Sequence, residues 1–301
     1  MLVSVIVITY NSSKYVLDTL ESVKNQTYKK IELIISDDCS KDNTYEICQR
    51  WLKSNSHRFV STTIAKTDRN GGICHNYNNG LKHAKGEWIK YIAGDDMLYD
   101  ICIEKLVKRT HVNSDKFLIS RQRHFSTKNA NIAITPLDLS IYEKHFSDEN
   151  KRIRFQEKSL LRIGTKIPGP TLFLHRKTLV DMGGFEEKYP FIEDFPLAMK
   201  YLKNGFPIGC VDMPLIKYRV YPESVSRTDG RFSKSIFDAI DDYCIPASKR
   251  NNLWSLFYHY WLNKKIRNND LQFPISYILK CLDIVSIKKY LRAKFNKIIK
   301  F

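Results

Sequence analysis

Three acidic pairs carry the chemistry that can be read from the residues: Asp37-Asp38, Asp95-Asp96 and Glu193-Asp194. Asp95-Asp96 follows the strand-like run Trp88–Ile92. Two adjacent carboxylates closing a buried strand are costly unless a cation or hydrogen-bond donors neutralise them. Oxygen ligands of this kind select Mg²⁺ or Mn²⁺, which bridge one or two carboxylates and a substrate diphosphate. The plain structural alternative is a cap for a helix starting near Ile101. Asp37-Asp38 ends the run Ile31–Ser36. A carboxylate there can accept an N–H from a nucleobase, which favours uracil over cytosine; an Asx turn or helix cap ahead of Asp42 and Asn43 is the alternative. Glu193-Asp194 precedes a helical pattern over Phe195–Leu202. Acids at a helix start complement the dipole, and the functional alternative is a general base aimed into a cleft. The chain has no Gly-x-Gly-x-x-Gly after its first strand, no Walker loop, no Gly-x-Ser-x-Gly elbow and no His-Glu-x-x-His.

The elements that must position these pairs alternate between two periods. Val3–Ile8, Ile31–Ser36, Val60–Ala65 and Trp88–Ile92 read as buried strands. Between them lie helical patterns with Val16, Leu20 and Val23, then Ile47, Trp51 and Leu52, then Tyr77, Leu81 and Ala84 in register. Such repetition predicts a parallel sheet with helices on its faces and ligands beyond the carboxyl ends of its strands. Tyr10-Asn11, Asp37-Asp38, Asn70-Gly71-Gly72 and Asp95-Asp96 should therefore meet along one edge. Residues 122–165 are charged and read as helix and loop able to close over a site. Thr171–Leu174 and Leu215–Val220 read as strands, Phe195–Leu202 as a helix, and the chain from Phe232 onward as helical.

The chain has 301 residues, 43% of them hydrophobic, with 49 Lys and Arg against 32 Asp and Glu and a net charge of +17. That is a globular mixture, and no stretch approaches the roughly 18 apolar residues of a membrane span. Seven scattered cysteines without a Cys-x-x-Cys pair argue against a disulfide framework or zinc site and for a reducing, cytoplasmic setting. Residues 288–301 hold six Lys and Arg and no acid. Ile284, Ile287, Leu291, Phe295 and Ile298 recur there at helical spacing, a pattern that suits either an anionic membrane surface or packing on the domain. The positive charge admits nucleic acid as a partner, but much of it lies in the last forty residues, away from the acidic pairs, and nucleic acid is not expected.

In their order and spacing these segments resemble an inverting family 2 glycosyltransferase of the GT-A fold, of the kind that builds bacterial surface polysaccharide such as O-antigen or capsule. The likeness rests on Val3–Asn11, Ile34–Thr44, Asn70–Trp88, Ile92–Leu98, Gly183–Leu197 and Tyr218–Ser226. It implies a Rossmann-like, mostly parallel sheet in a catalytic domain over 1–226, with a nucleotide-sugar half (1–98), an acceptor half (99–226) and a basic helical extension (227–301). It further implies that Thr9, Tyr10 and Asp38 hold a uridine, with Asn11 and Asn70 in the same nucleotide-binding set. Asp95 would face ribose or diphosphate and share the metal with Asp96, and Asp194 would be the base with Glu193 nearby. The implied reaction moves a hexose from a nucleotide sugar, a UDP-sugar above all, to a hydroxyl of a glycan or lipid-linked acceptor, with inversion and Mg²⁺ or Mn²⁺. The chain departs from the family where Ala93, Tyr77 and Tyr221 replace a frequent Asp, Arg and His. Lys66, Arg69 and Lys82 are then the candidates to meet the phosphate charge. A sugar nucleotidyltransferase is the nearest rival, and it should carry a glycine-rich loop where Tyr10-Asn11-Ser12-Ser13 stands.

Overall fold

The computed structural model describes residues 1–112, 114–126, 129–134, 138, 140–163, 167–221, 230–268, 270, 283 and 285. Its first third follows the expected alternation: β1 (Val3–Thr9), α1 (Val16–Lys24), β2 (Ile31–Asp37), α2 (Thr44–Asn55), β3 (Ser61–Lys66), α3 (Ile73–Leu81) and β4 (Trp88–Ala93). There follow β5 (Met97–Leu98), α4 (Cys102–Thr110), β6 (Phe117–Ser126), β7 (Asn129–Ile134), α5 (Ser140–Glu143) and α6 (Glu149–Ile163). Then come β8 (Phe173–His175), α7 (Arg176–Asp181), α8 (Asp194–Lys203) and β9 (Ile208–Arg219). The C-terminal helices Gly230–Ala239, Ile245–Arg250 and Trp254–Arg267 complete the described chain, the first two joined by a π-helical turn at Ile240–Cys244.

The strands form one nine-stranded mixed sheet in the order β3-β2-β1-β4-β8-β6-β9-β5, with β7 paired to β6. β1 to β4 are mutually parallel, β8 runs antiparallel to β4 and β6, and β6 runs parallel to β9. Alternation along β1 divides the core between the sheet's two faces. Val3, Val5 and Val7 join the cluster under α1, α2 and α4, while Ile6 and Ile8 join the one holding Tyr77, Phe185 and Phe195. Ala239, Cys244, Ala247, Leu256 and Tyr260 are buried in that second cluster, so the C-terminal helices share a core with the sheet.

Two expectations are corrected here. The stretch read as helix and loop from residue 122 begins inside β6, a ten-residue strand, and continues into β7 before α6. The helix read from Tyr77 starts at Ile73, directly after Gly72. The expectations for Pro222–Ser226 and for 288–301 lie outside the described residues. Among the described residues no helix is long and apolar enough to cross a membrane.

Candidate active site

Parallel register brings the acidic turns to one edge. Thr9 pairs with Asp37 and Ile8 with Ala93, so the residues after β1, β2 and β4 leave the sheet side by side. They open on a cavity of about 630 Å³. All nine residues expected of the site line it: Thr9, Tyr10, Asn11, Asp38, Asn70, Asp95, Asp96, Glu193 and Asp194.

Several of these residues build the wall as well as face the space. Thr9 is 2% exposed and its hydroxyl donates to Asp37 Oδ2 at 2.9 Å. Asp37, absent from the expected site, also accepts from Ser40 N at 2.9 Å and is the Asx-type anchor of the pair. Asn11 sits at φ +50° and accepts from Lys41 N at 2.8 Å. The buried Asp38 accepts from Thr67 Oγ1 (2.9 Å), Gly71 N (3.1 Å) and Gly72 N (2.8 Å). Gly71 N reaches both oxygens at 3.1 Å, so these donors fix the carboxylate in the cavity wall. Asn70 Oδ1 accepts from Gly72 N at 3.1 Å, and Tyr10 presents a ring that is 41% exposed.

Gly72 joins the two halves. Its φ of +92° belongs to the left-handed region, and a Cβ there would stand 2.7 Å from Pro190 O. Behind it, α3 holds the acidic segment of the other half. Asn78 Nδ2 donates to Phe185 O, Phe185 N donates to Asn78 Oδ1, both at 2.9 Å, and Cys74 N donates to Pro190 O at 3.2 Å. Glu193 and Asp194 thereby come to the same cavity as Asp95 and Asp96.

Asp95 and Asp96 are held by the last residue of β9 and by Tyr221 just beyond it. Arg219 N donates to Asp96 Oδ1 at 2.8 Å, and Tyr221 OH donates to Asp95 Oδ2 at 2.6 Å. The Arg219 guanidinium donates to Asp95 O and Asp18 Oδ2, between the rings of Tyr15 and Phe125. Burial, with Asp95 alongside, raises Asp96 well above the ordinary carboxylate range, and burial raises Asp95 as well. These bonds engage one oxygen of each carboxylate, so both side chains retain an oxygen for a cation. Among the described residues no cluster of three or more His, Cys, Asp or Glu forms a protein-only cage. Two carboxylates completed by diphosphate and water fit Mg²⁺ or Mn²⁺.

Asp194 opens α8, and its Oδ1 accepts from Phe195 N at 2.6 Å. Burial still raises it to about 7, and burial together with Asp194 raises Glu193 further. Of the cations proposed from sequence, Lys66, Arg69 and Lys82 do not line the cavity, whereas Lys14 does. Gln122, Asn76 and the turn Ile167–Pro170 also line it. Gln122 and Lys14 carried no motif signal; Asn76 lies inside a segment that resembles the family without matching a motif position.

A sheet whose acidic turns open on such a cavity is the architecture of GT-A glycosyltransferases. The family model Glycosyl transferase family 2 matches residues 4–182. Glycosyltransferase GlyG of Streptococcus pneumoniae is 30% identical over 255 residues, covering 79% of this chain and 81% of its own. MJ1057 of Methanocaldococcus jannaschii, an uncharacterized glycosyltransferase, is 26% identical over 273 residues, 90% of this chain and 83% of its own. The chain belongs to glycosyl transferase family 2 and is a transferase. Two solved structures share the fold. S. aureus TarS 1-349 in complex with UDP-GlcNAc has a TM-score of 0.63 at 18% identity, over 88% of this chain and 73% of that one. Mannosyltransferase PcManGT from Pyrobaculum calidifontis, in complex with GDP-Man and Mn²⁺, has a TM-score of 0.63 at 18% identity, over 97% and 82%.

Proposed function

We propose that the chain transfers a hexose from UDP to a hydroxyl of a glycan or lipid-linked acceptor in one inverting, metal-dependent displacement. The observation that carries this reading is the single cavity that Asp38, Asp95 and Asp96 share with Glu193 and Asp194. Asp38, fixed in the cavity wall by Thr67, Gly71 and Gly72, accepts the uracil N3–H, and the exposed Tyr10 offers the base a stacking face. Asp95 and Asp96 would hold Mg²⁺ or Mn²⁺, whose charge would offset that growing on the departing diphosphate. Asp194 takes the proton of the acceptor hydroxyl as it attacks the anomeric carbon from the face opposite the leaving group, so an α-linked donor gives a β-linked product. Glu193 stands beside Asp194 in the cavity, and burial raises the proton affinity of both carboxylates. The reading places the enzyme in the cytoplasm, where UDP-sugars are made, at the inner face of the membrane if the acceptor is lipid-linked. Residues 1–226 act as the catalytic domain and 227–301 as its basic extension.

A panel of UDP-, GDP- and TDP-sugars, assayed for transfer and hydrolysis with Mn²⁺ or Mg²⁺ and after chelation, tests this. Metal-dependent turnover of a UDP-sugar with an inverted product is expected. Equal turnover after chelation, or a retained anomeric configuration, overturns it.

A further inference from the structure

Lys90 is 0% exposed, in the middle of β4. By the two-residue period of the strand it shares a face with Trp88 and Ile92, which belong to an apolar cluster. A lysine at such a position is costly unless its ammonium is fully hydrogen-bonded. Here it is: Nζ donates to Tyr91 O at 2.6 Å, Pro170 O at 2.5 Å and Leu172 O at 3.3 Å. Three N–H donors meet three carbonyls.

Two of those carbonyls belong to a turn with few donors of its own. Pro168 and Pro170 have no N–H, and the turn's internal bonds, Thr171 N to Pro168 O and Leu172 N to Gly169 O, leave the Pro170 carbonyl to Lys90. Pro168, Gly169 and Pro170 line the cavity. Gly169 lies so close to Glu193 that a Cβ there would stand 2.2 Å from Oε1. Five and six residues beyond Lys90 on the same stretch come Asp95 and Asp96. One buried ammonium thus ties the strand that delivers the proposed metal carboxylates to the turn that backs the proposed base.

We propose that Lys90 is a positioning residue for the transfer step: its ammonium clamps the Pro168–Leu172 turn against Glu193 and so fixes the acid side of the cavity relative to Asp95-Asp96. The clamp rests on the transferase reading above and makes no contact with donor or acceptor. Burial draws the amine down to about 8, which leaves it charged at neutral pH, and the nearby Asp96 favours that charge.

The test uses the full chain with Lys90→Met, and with Lys90→Gln in case the Met variant does not fold, since Gln keeps N–H donors for part of the set. Three readouts are compared with the parent: UDP affinity with Mn²⁺, kcat for UDP-sugar turnover, and hydrogen exchange of the amides in 167–175 and in 3–37. The clamp predicts UDP affinity within about twofold of the parent and kcat lowered about 10–100-fold, the scale of an ångström-sized misplacement. Exchange should quicken in 167–175 alone. Parent-like kcat, or unchanged exchange in 167–175, overturns the proposal. So does a parallel fall of UDP affinity and kcat with exchange raised throughout, which would make Lys90 a general stability residue. A parent that turns over no nucleotide sugar refutes the transferase reading, and the role of Lys90 in transfer falls with it.

Discussion

The carboxylate of Asp194 accepts from Phe195 N in the first turn of its own helix, and burial nonetheless raises its proton affinity to near neutrality. That balance suits a base, which must be ionised to act yet basic enough to take a proton. Asp194→Asn should leave UDP affinity near the parent value and slow transfer by roughly 10²–10⁴-fold, measured as kcat against Kd. In the parent, kcat should rise with pH through about 7 as Asp194 ionises, and this rise should vanish in the variant. Stability runs the other way. The folded state holds this proton at a pH where the unfolded chain has released it, so stability falls as pH rises from the ordinary carboxylate range through about 7. Asn removes that loss, so the variant should melt higher than the parent at pH 8 and no higher near pH 4. The same scale shows where residue types misled. Asp37 and Asp38 look equivalent in sequence, yet Asp37 is consumed by Thr9 and Ser40 while Asp38 faces the cavity. Only the strand end decides between them, because successive side chains leave it in opposite directions.

At the scale of elements, β1, β2 and β4 were legible because each is a mostly apolar run, broken once by Ser4, Glu32 or Lys90, that ends in polar turn residues. β6 was not, because Arg121, Gln122 and Arg123 interrupt its apolar pattern. Two of the three have a reason to be there: Arg121 pairs with Asp212, and Gln122 lines the cavity. Register shifts on either side of Arg121 break the two-residue alternation that would have marked a strand. The first half of β9 was hidden likewise, with Gly209, Asp212 and Pro214 inside it. The start of α3 was missed because Gly71-Gly72 reads as a loop, whereas Gly72 takes a positive φ to begin the helix against Pro190. The phosphate cations failed for a related reason. Lys66, Arg69 and Lys82 flank the right loops in sequence, but none reaches the cavity that Lys14 lines. Proximity along the chain carries no information about which way a strand end or helix face points.

For the whole molecule, the acidic cavity is set in a chain of net charge +17, with six cations and no acid in residues 288–301. Cations near an anionic leaflet contribute about 1 kcal/mol each. The full chain should therefore float with vesicles containing anionic lipid at low salt, while a chain ending near Asn269 should not; equal behaviour of the two would remove the membrane from the account. The central claim concerns how the two halves of the cavity divide the work, with Asp96 serving the diphosphate and its cation and Asp194 serving the acceptor. Titration calorimetry of UDP, with and without Mn²⁺, on the parent and on Asp96→Asn tests it most directly. The account predicts that Mn²⁺ strengthens UDP binding to the parent and that this gain is lost in Asp96→Asn while the melting temperature is kept. Mn²⁺-dependent UDP affinity equal to the parent's in that variant would contradict it.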